Sequence, residues 1–376
     1  MLLYLIQTKT GGPRGTPVFC GTEGACHTEI DIICMATRER QGLHMKMRKR
    51  WIAAGTALLC ALALGAAGLL RGVQLVYTVL DGRRVRPQEE IRMTDGTLYA
   101  QMMHSQAQAR TQGWQTVIPT EEITLNAPRG TLYARLFAPL YEDEDAPWAL
   151  VLHGGLGTDH TDVLDMAGAL SMEGYRVLAP DLYAHGRSAG SCTSLGLREA
   201  EDVHAWVSWM LERDGDAQIV IWAQEEGAAA ALLAAGALPG AVRAIACDSA
   251  YASIRARAHQ LLEEHTKEKG SLLRLDGVLM EIGYRLLHGA DIRTGELEEA
   301  AKKAPMPLLL LHGTLDQDVP AWHSEDLAAA AGEGASLHFA EGAAHGVARY
   351  AKAQDYAETL MDFYRHTLER NEGGAR

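Results

Sequence analysis

Five short stretches hold the residue types that move protons and polarise carbonyls, and each follows an apolar run. The first is His153-Gly154-Gly155, where glycines let the backbone turn and aim N–H groups at a bound oxygen. The second, DLYAHGRS, runs from Asp181 to Ser188. The third, AQEEG from Ala223 to Gly227, joins an apolar run to an alanine-rich helical stretch and puts Glu225 at the turn. Asp316 opens DQDVP, and His345 lies in AAHG. Singly, each has an ordinary explanation: an aspartate after a strand caps a helix or a turn, and a histidine after small residues is a loop residue. Their order carries more. In a turn residue, an acid and a histidine, the acid can orient the imidazole and the imidazole can handle a proton at the turn. Here the turn residue is a glutamate, which has no hydroxyl to activate.

The elements that must hold these residues can be read from the pattern around them. EEITLNAPRGTLYARLFAP alternates apolar and polar about Pro128-Arg129-Gly130, which predicts a β-hairpin. Short apolar runs follow at 148–152, 175–179, 218–222, 242–247, 307–311 and 335–339, separated by helical patterns. That alternation predicts a mostly parallel sheet covered on both faces. Residues 251–303 break the rhythm. Leu272, Leu275, Val278, Leu279, Ile282, Leu286 and Leu287 give helical spacing instead. An insert after a strand's C-terminal end sits over the ligand crevice of an open α/β sheet, so this segment is expected to be a small helical cap.

With these residues in place, the stretch from about Thr120 to Arg365 resembles an α/β-hydrolase. It is most similar to the membrane-anchored bacterial branch related to serine aminopeptidases and monoacylglycerol lipases. His153-Gly154-Gly155 matches that family's oxyanion turn. Asp181 with His185-Gly186-Arg187-Ser188 matches its D-x-R-G-H-G-x-S signature, with Tyr183 and Ala184 as departures. Asp316 in D-x-x-V-P matches the catalytic acid, and His345 in A-x-H-G the catalytic histidine. The resemblance implies an α/β-hydrolase fold and ester or amide hydrolysis. It also implies an oxyanion hole formed at Gly155 and Glu226. Its G-x-S-x-G elbow is altered: Glu225 takes the place of the serine and Ala223 that of the first glycine, while Gly227 is kept. Ser188, Ser191 and Ser249 lie away from the elbow, and Asp318 and His338 rank below Asp316 and His345.

A glutamate at the elbow changes the expected chemistry. The helix N-terminus favours its carboxylate. Glu225 and Asp316 would flank His345, favour the imidazolium and raise its pKa, and a charged histidine is no general base. Glu226 next door is expected to add negative charge that opposes an oxyanion. Three readings follow. In the first, the chain has lost serine-type turnover and keeps a pocket that binds a small molecule or peptide. In the second, Glu225 is itself a nucleophile, as the elbow aspartate is in haloalkane dehalogenases and epoxide hydrolases. In the third, Glu225 activates a water. A membrane-tethered binding module is the alternative from outside enzymology.

The rest of the chain bounds these readings. The 376 residues are 47% hydrophobic with a formal net charge of -13, and no basic stripe interleaved with aromatics appears, so nucleic acid is not an expected partner. No G-x-G-x-x-G or P-loop pattern occurs, and no cofactor is expected. Cys20, Cys26, His27 and Cys34 match no common zinc spacing, and no metal is expected. Residues 1–44 show no periodicity and are expected to be unstructured. Met45, ahead of a basic cluster, reads as the true start. Lys46, Arg48, Lys49 and Arg50 precede an uncharged run from Trp51 to Leu70, long enough to cross a bilayer, with Trp51 placed as an interfacial anchor. A cleaved signal peptide is the alternative, but the run is long for one. Residues 45–73 are therefore expected to be a signal-anchor helix in the cell membrane, 74–119 a connector and 120–370 the hydrolase domain. The basic cluster favours an extracytoplasmic body, although Arg71, Arg83, Arg84 and Arg86 lie on the far side.

Overall fold

Eight strands form one sheet: β1 (Thr120–Ala127), β2 (Gly130–Phe137), β3 (Trp148–Leu152), β4 (Arg176–Asp181), β5 (Ile219–Gln224), β6 (Val242–Asp248), β7 (Leu308–Gly313) and β8 (Ala335–Ala340). The computed structural model describes residues 25–83, 118–141 and 143–372. The sheet order is β1-β2-β4-β3-β5-β6-β7-β8. The β1–β2 hairpin pairs antiparallel with itself and, through β2, with β4; every later pairing is parallel.

Period-two alternation within continuous apolar runs explains the two-sided burial. In β3, Trp148, Leu150 and Leu152 enter one core, while Ala149 and Val151 enter the other. The same split divides Ile219, Ile221 and Ala223 from Val220 and Trp222 in β5, and Leu308 and Leu310 from Leu309 and Leu311 in β7. Helices α2 (Leu164–Met172), α3 (Ala200–Arg213), α4 (Glu225–Ala235), α5 (Ile254–Thr266), α6 (Gly270–His288), α7 (Leu297–Lys303), α8 (Trp322–Ala331), α9 (Ala348–Ala351) and α10 (Ala353–Glu372) complete the body. Residues 251–303 carry α5, α6 and α7, and no strand of the sheet lies among them. The order in which strands are added reverses at β3, with β4 on one side of it and β5 on the other. The C-terminal ends of β3 and β5 flank the switch point where ligands bind in open α/β sheets.

The N-terminal part departs from expectation in two ways. Helix α1 spans Ala25–Val79, so the helix begins within the stretch 1–44 that sequence reading left unstructured. Residues 37–50 are almost all exposed and have no apolar face to bury, which is why no periodicity shows. Once a helix is nucleated, each further residue costs little, and Arg38, Glu39, Arg40 and Gln41 are good helix formers. The side chains of Cys20, Cys26, His27 and Cys34 lie outside the described residues, as does most of the connector, including Arg84 and Arg86.

The second departure is the boundary of the body. The chain divides into compact units Met1–Ala66 and Ala67–Arg376, so the second unit begins well before residue 120. Leu75, Val76, Val79 and Leu80 are buried in its larger core. Leu80 O accepts the Thr193 N–H at 3.0 Å, and Gly82 O accepts the Gly157 N–H at 3.1 Å. The Arg83 guanidinium caps the carbonyls of Ser188 and Gly190. A fragment starting at residue 120 would lose all of these contacts.

Candidate functional site

Glu225 is the first residue of α4, directly after the buried strand β5, and its φ is +46°. That left-handed conformation is rare for a side-chain-bearing residue and marks a strained turn that the surroundings must enforce. Gly227 is part of what permits it. A Cβ there would lie 2.5 Å from His153 O and 2.8 Å from Leu152 Cβ, so only glycine lets α4 cross the end of β3 this closely.

Three groups converge on the Glu225 carboxylate, which is itself buried, and a fourth, Asp316, lies behind one of them. The Gly155 N–H donates to Oε2 at 2.9 Å. His345 Nε2 lies 3.4 Å from the same oxygen. On the other side of that ring, His345 Nδ1 is 2.8 Å from Asp316 Oδ2. The Arg257 guanidinium, from α5, donates to Glu225 Oε1 at 2.7 Å. Asp316 Oδ1 accepts the Val319 N–H at 2.8 Å and the Asp318 N–H at 3.0 Å, so the D-x-x-V-P turn wraps its own acid. The structure thus brings Gly155, Glu225, Asp316 and His345 to one place.

Arg257 was not foreseen. It is 4% exposed, and it also donates to Asp318 O at 3.1 Å and Gln260 Oε1 at 3.2 Å. No spacing rule connects positions 225 and 257. The available signal is chemical: a buried carboxylate demands compensating positive charge, and α5 supplies part of it through Arg257.

The charge state of the cluster follows from this geometry. Burial alone would lower the His345 pKa, but the negative charges of Asp316 and Glu225 outweigh it and raise the value to about 10. Burial alone would raise the Asp316 pKa, but the His345 charge and the hydrogen bonds from His312, His345 and Val319 bring it down to about 2. Near neutral pH the histidine is an imidazolium clamped between two anions. Because its folded pKa exceeds the unfolded value of 6.5, its stabilisation is complete below about pH 6.5 and lost as pH rises through about 10. The Asp316 contribution is present above 3.8 and lost as pH falls through about 2. We predict that the His345 ring signals in NMR do not titrate between pH 6 and 8 and move only as pH approaches 10. A neutral ring at pH 8 would refute this arrangement.

Glu226 differs from expectation. Its carboxyl is fully buried beside the Thr193 hydroxyl, which donates to it, and lies 3.8 Å from His185 Nε2. Burial, with Glu199 adding to it, drives its pKa well above the carboxylate range. Burial therefore works against the added negative charge expected of this side chain. Its backbone amide belongs to the first turn of α4, where N–H groups lack intrahelical partners.

The remaining signature residues shape the loops. Asp181 accepts from His160 N at 2.9 Å, His160 Nδ1 at 2.7 Å and Arg187 N at 2.7 Å. The Ser188 hydroxyl donates to Asp181 O and accepts from Tyr133 N. His153 Nε2 accepts the Leu182 N–H at 3.0 Å, and burial, reinforced by His185, lowers its pKa to about 3, so it stays neutral. Ala184 adopts φ +69° where the family pattern has glycine, and His185 stacks edge-on against His153. Ser249 hydrogen-bonds its neighbour Asp248, and His338 pairs with Asp355; neither touches the Glu225 cluster.

Comparison with known proteins agrees with this architecture. A family profile described as "alpha/beta hydrolase fold" matches residues 147–269, and one described as "Prolyl oligopeptidase family" matches residues 289–371. The uncharacterised protein YqkD of Bacillus subtilis is 25% identical over 225 residues, covering 58% of this chain and 72% of its own length. A Pyrococcus furiosus esterase superposes with a TM-score of 0.53 at 16% identity, covering 68% of this chain and 95% of its own. The α/β hydrolase GrgF of a Penicillium species gives 0.51 at 17%, covering 67% and 99%. With this sheet order, a strained turn after β5 and these matches, the chain is an α/β-hydrolase-fold protein.

Proposed function

We propose that this protein is a membrane-anchored relative of esterase- and peptidase-like hydrolases in which Glu225 holds the nucleophile position and serine-type turnover has been lost. The observation that carries this reading is the 2.9 Å hydrogen bond from the Gly155 N–H to Glu225 Oε2. In an acyl-transfer site that donor serves the oxyanion of the substrate. Here a carboxylate oxygen of the protein already accepts it, and the same oxygen faces His345. One side chain thus removes the hydroxyl nucleophile, fills an oxyanion donor and helps keep the histidine in the acid form. The Arg257 contact weighs against the two active readings as well. A carboxylate bound by a guanidinium, a backbone N–H and an imidazolium is a poor nucleophile and a poor base.

We assign to the sheet's switch point beside Glu225 the binding of a small molecule or peptide. Residues Thr37–Val79 of α1 are long and apolar enough to cross a membrane, which supports the anchor. The basic residues at 46–50 favour a cytoplasmic N-terminus and an extracytoplasmic body. The test uses the full chain in membranes. It should neither take up a fluorophosphonate probe nor hydrolyse short-chain p-nitrophenyl esters above buffer. Ester turnover that disappears in His345→Ala would overturn the proposal.

A further inference from the structure

Helix α6 (Gly270–His288) has two apolar faces, and the body uses only one. Its inner face buries Gly277, Met280, Gly283 and Tyr284 together with Asp276. On its other side Leu272, Leu275, Val278, Ile282 and Leu286 are 52%, 54%, 55%, 44% and 56% exposed. Their spacings of three, three, four and four residues keep them on one stripe. Among the described residues from 67 onward, thirteen large apolar side chains are exposed. Five lie on this stripe and three more, Leu69, Leu70 and Tyr77, lie on the last turns of α1. Soluble surfaces scatter such residues rather than gather them.

The last turns of α1 and α6 are in direct contact. A Cβ on Gly72 would lie 2.1 Å from Leu279 O, and one on Gly283 would lie 2.3 Å from the Gly72 carbonyl carbon. Glycine at both positions lets the two backbones touch, as at helix pairs in membranes. Arg71 pairs with Asp276 beside that contact. The stripe is therefore continuous with the exposed apolar end of the helix assigned above as the anchor.

We infer that α6 is a second membrane contact, lying in the bilayer interface with Leu272, Leu275, Val278, Ile282 and Leu286 among the lipids. This rests on the anchor reading. The stripe's continuity with the anchor helix, through the Gly72–Gly283 contact, favours lipid over a second copy. Bordering charges are mixed, with Lys267, Lys269 and Arg274 against Glu264 and Glu268, so apolar burial rather than anionic lipid drives the contact. Helix α6 also grips α5, through Glu281 to Arg255 at 2.7 Å and to His259 at 2.8 Å. A membrane contact there is one helix away from Arg257.

The test uses the full chain with Cys20, Cys26 and Cys34 replaced by serine; Cys192 and Cys247 are buried. A polarity-sensitive fluorophore is attached singly to the exposed native Cys60, or, in Cys60→Ser chains, to Val278→Cys, Ile282→Cys or Leu315→Cys. Leu315 is 52% exposed and outside the stripe. These are surface positions, where substitution has little effect on folding. The protein is placed in phosphatidylcholine vesicles with or without doxyl-labelled phosphatidylcholine. Lipid quenching of about twofold or more at 278, 282 and 60, and little at 315, is the expected result. Quenching at 60 without quenching at 278 and 282 overturns the α6 contact and leaves the anchor standing. Disulfide-linked dimers formed by the unlabelled Val278→Cys chain under air oxidation, without quenching at 278 in the labelled chain, assign the face to a second copy and also overturn it. No quenching at any position removes the anchor and this inference together.

Discussion

Replacing Glu225 with serine is expected to create an ester hydrolase, and to do so best when Arg257 is replaced as well. Three changes come from the one substitution. Gly155 N–H loses its internal acceptor and becomes available to a substrate oxyanion. One of the two anions beside His345 disappears, and with it part of what raises the ring's pKa to about 10. A hydroxyl appears at the strained φ of +46°, on a turn of the kind that presents nucleophiles in this fold. Arg257 then becomes the obstacle, since it is 4% exposed and would have lost its carboxylate. The double variant Glu225→Ser/Arg257→Leu should therefore react with a fluorophosphonate at residue 225 and hydrolyse short-chain esters. Its rate should exceed wild type by at least about 10²-fold, the worth of one well-placed oxyanion donor. Glu225→Ser alone should fall between the two. The chain used must include residues 67–83, which belong to the folded body. If neither variant labels, Glu225 does not stand where a serine would be effective, and the reading of this turn is wrong.

Much of the fold was legible because its cause is local. Apolar runs such as WALVL at 148–152 carry their own alternation, and each strand's two sets of side chains fall into separate cores. Motif order together with the family resemblance nominated Gly155, Glu225, Asp316 and His345, and the structure links them in one chain of contacts from Gly155 through Glu225 and His345 to Asp316. What could not be read is non-local. Arg257 reaches Glu225 from an unremarkable arginine-bearing helix, and only the three-dimensional path of the cap puts it there. The environment of Glu226 is hidden for a related reason. Sequence shows a carboxylic acid, but only the fold shows that burial, with Glu199 nearby, raises its pKa. Leu75, Val76, Val79 and Leu80 read as part of the connector, because nothing in their spacing says that the body's core closes over them.

The Glu225–Arg257 pair also bears on stability, and the second large effect is expected there. Both side chains are buried, and their 2.7 Å contact is reinforced by Arg257 donating to Asp318 O and Gln260 Oε1. Arg257 thereby ties α5 of the cap both to the turn after β5 and to the loop carrying Asp316. Breaking a buried pair by deleting one partner leaves the other charge without compensation and costs about 3–5 kcal/mol. For a body of this size each kcal/mol shifts Tm by roughly 2–4 °C, so Arg257→Ala should lower Tm by about 10 °C. Arg257→Lys should restore only part of this, because a point charge cannot serve three acceptors in different directions as the planar fork does. The double variant Glu225→Ala/Arg257→Ala should be more stable than Arg257→Ala alone, since no buried charge is then left over. A double-mutant cycle on Tm and on denaturant midpoints measures that coupling. Additive losses, or an Arg257→Ala variant within about 2 °C of wild type, would show that the pair holds neither the cap nor the carboxylate. The site would then be looser than its geometry implies, and Glu225 would be free to leave the Gly155 N–H when a ligand enters.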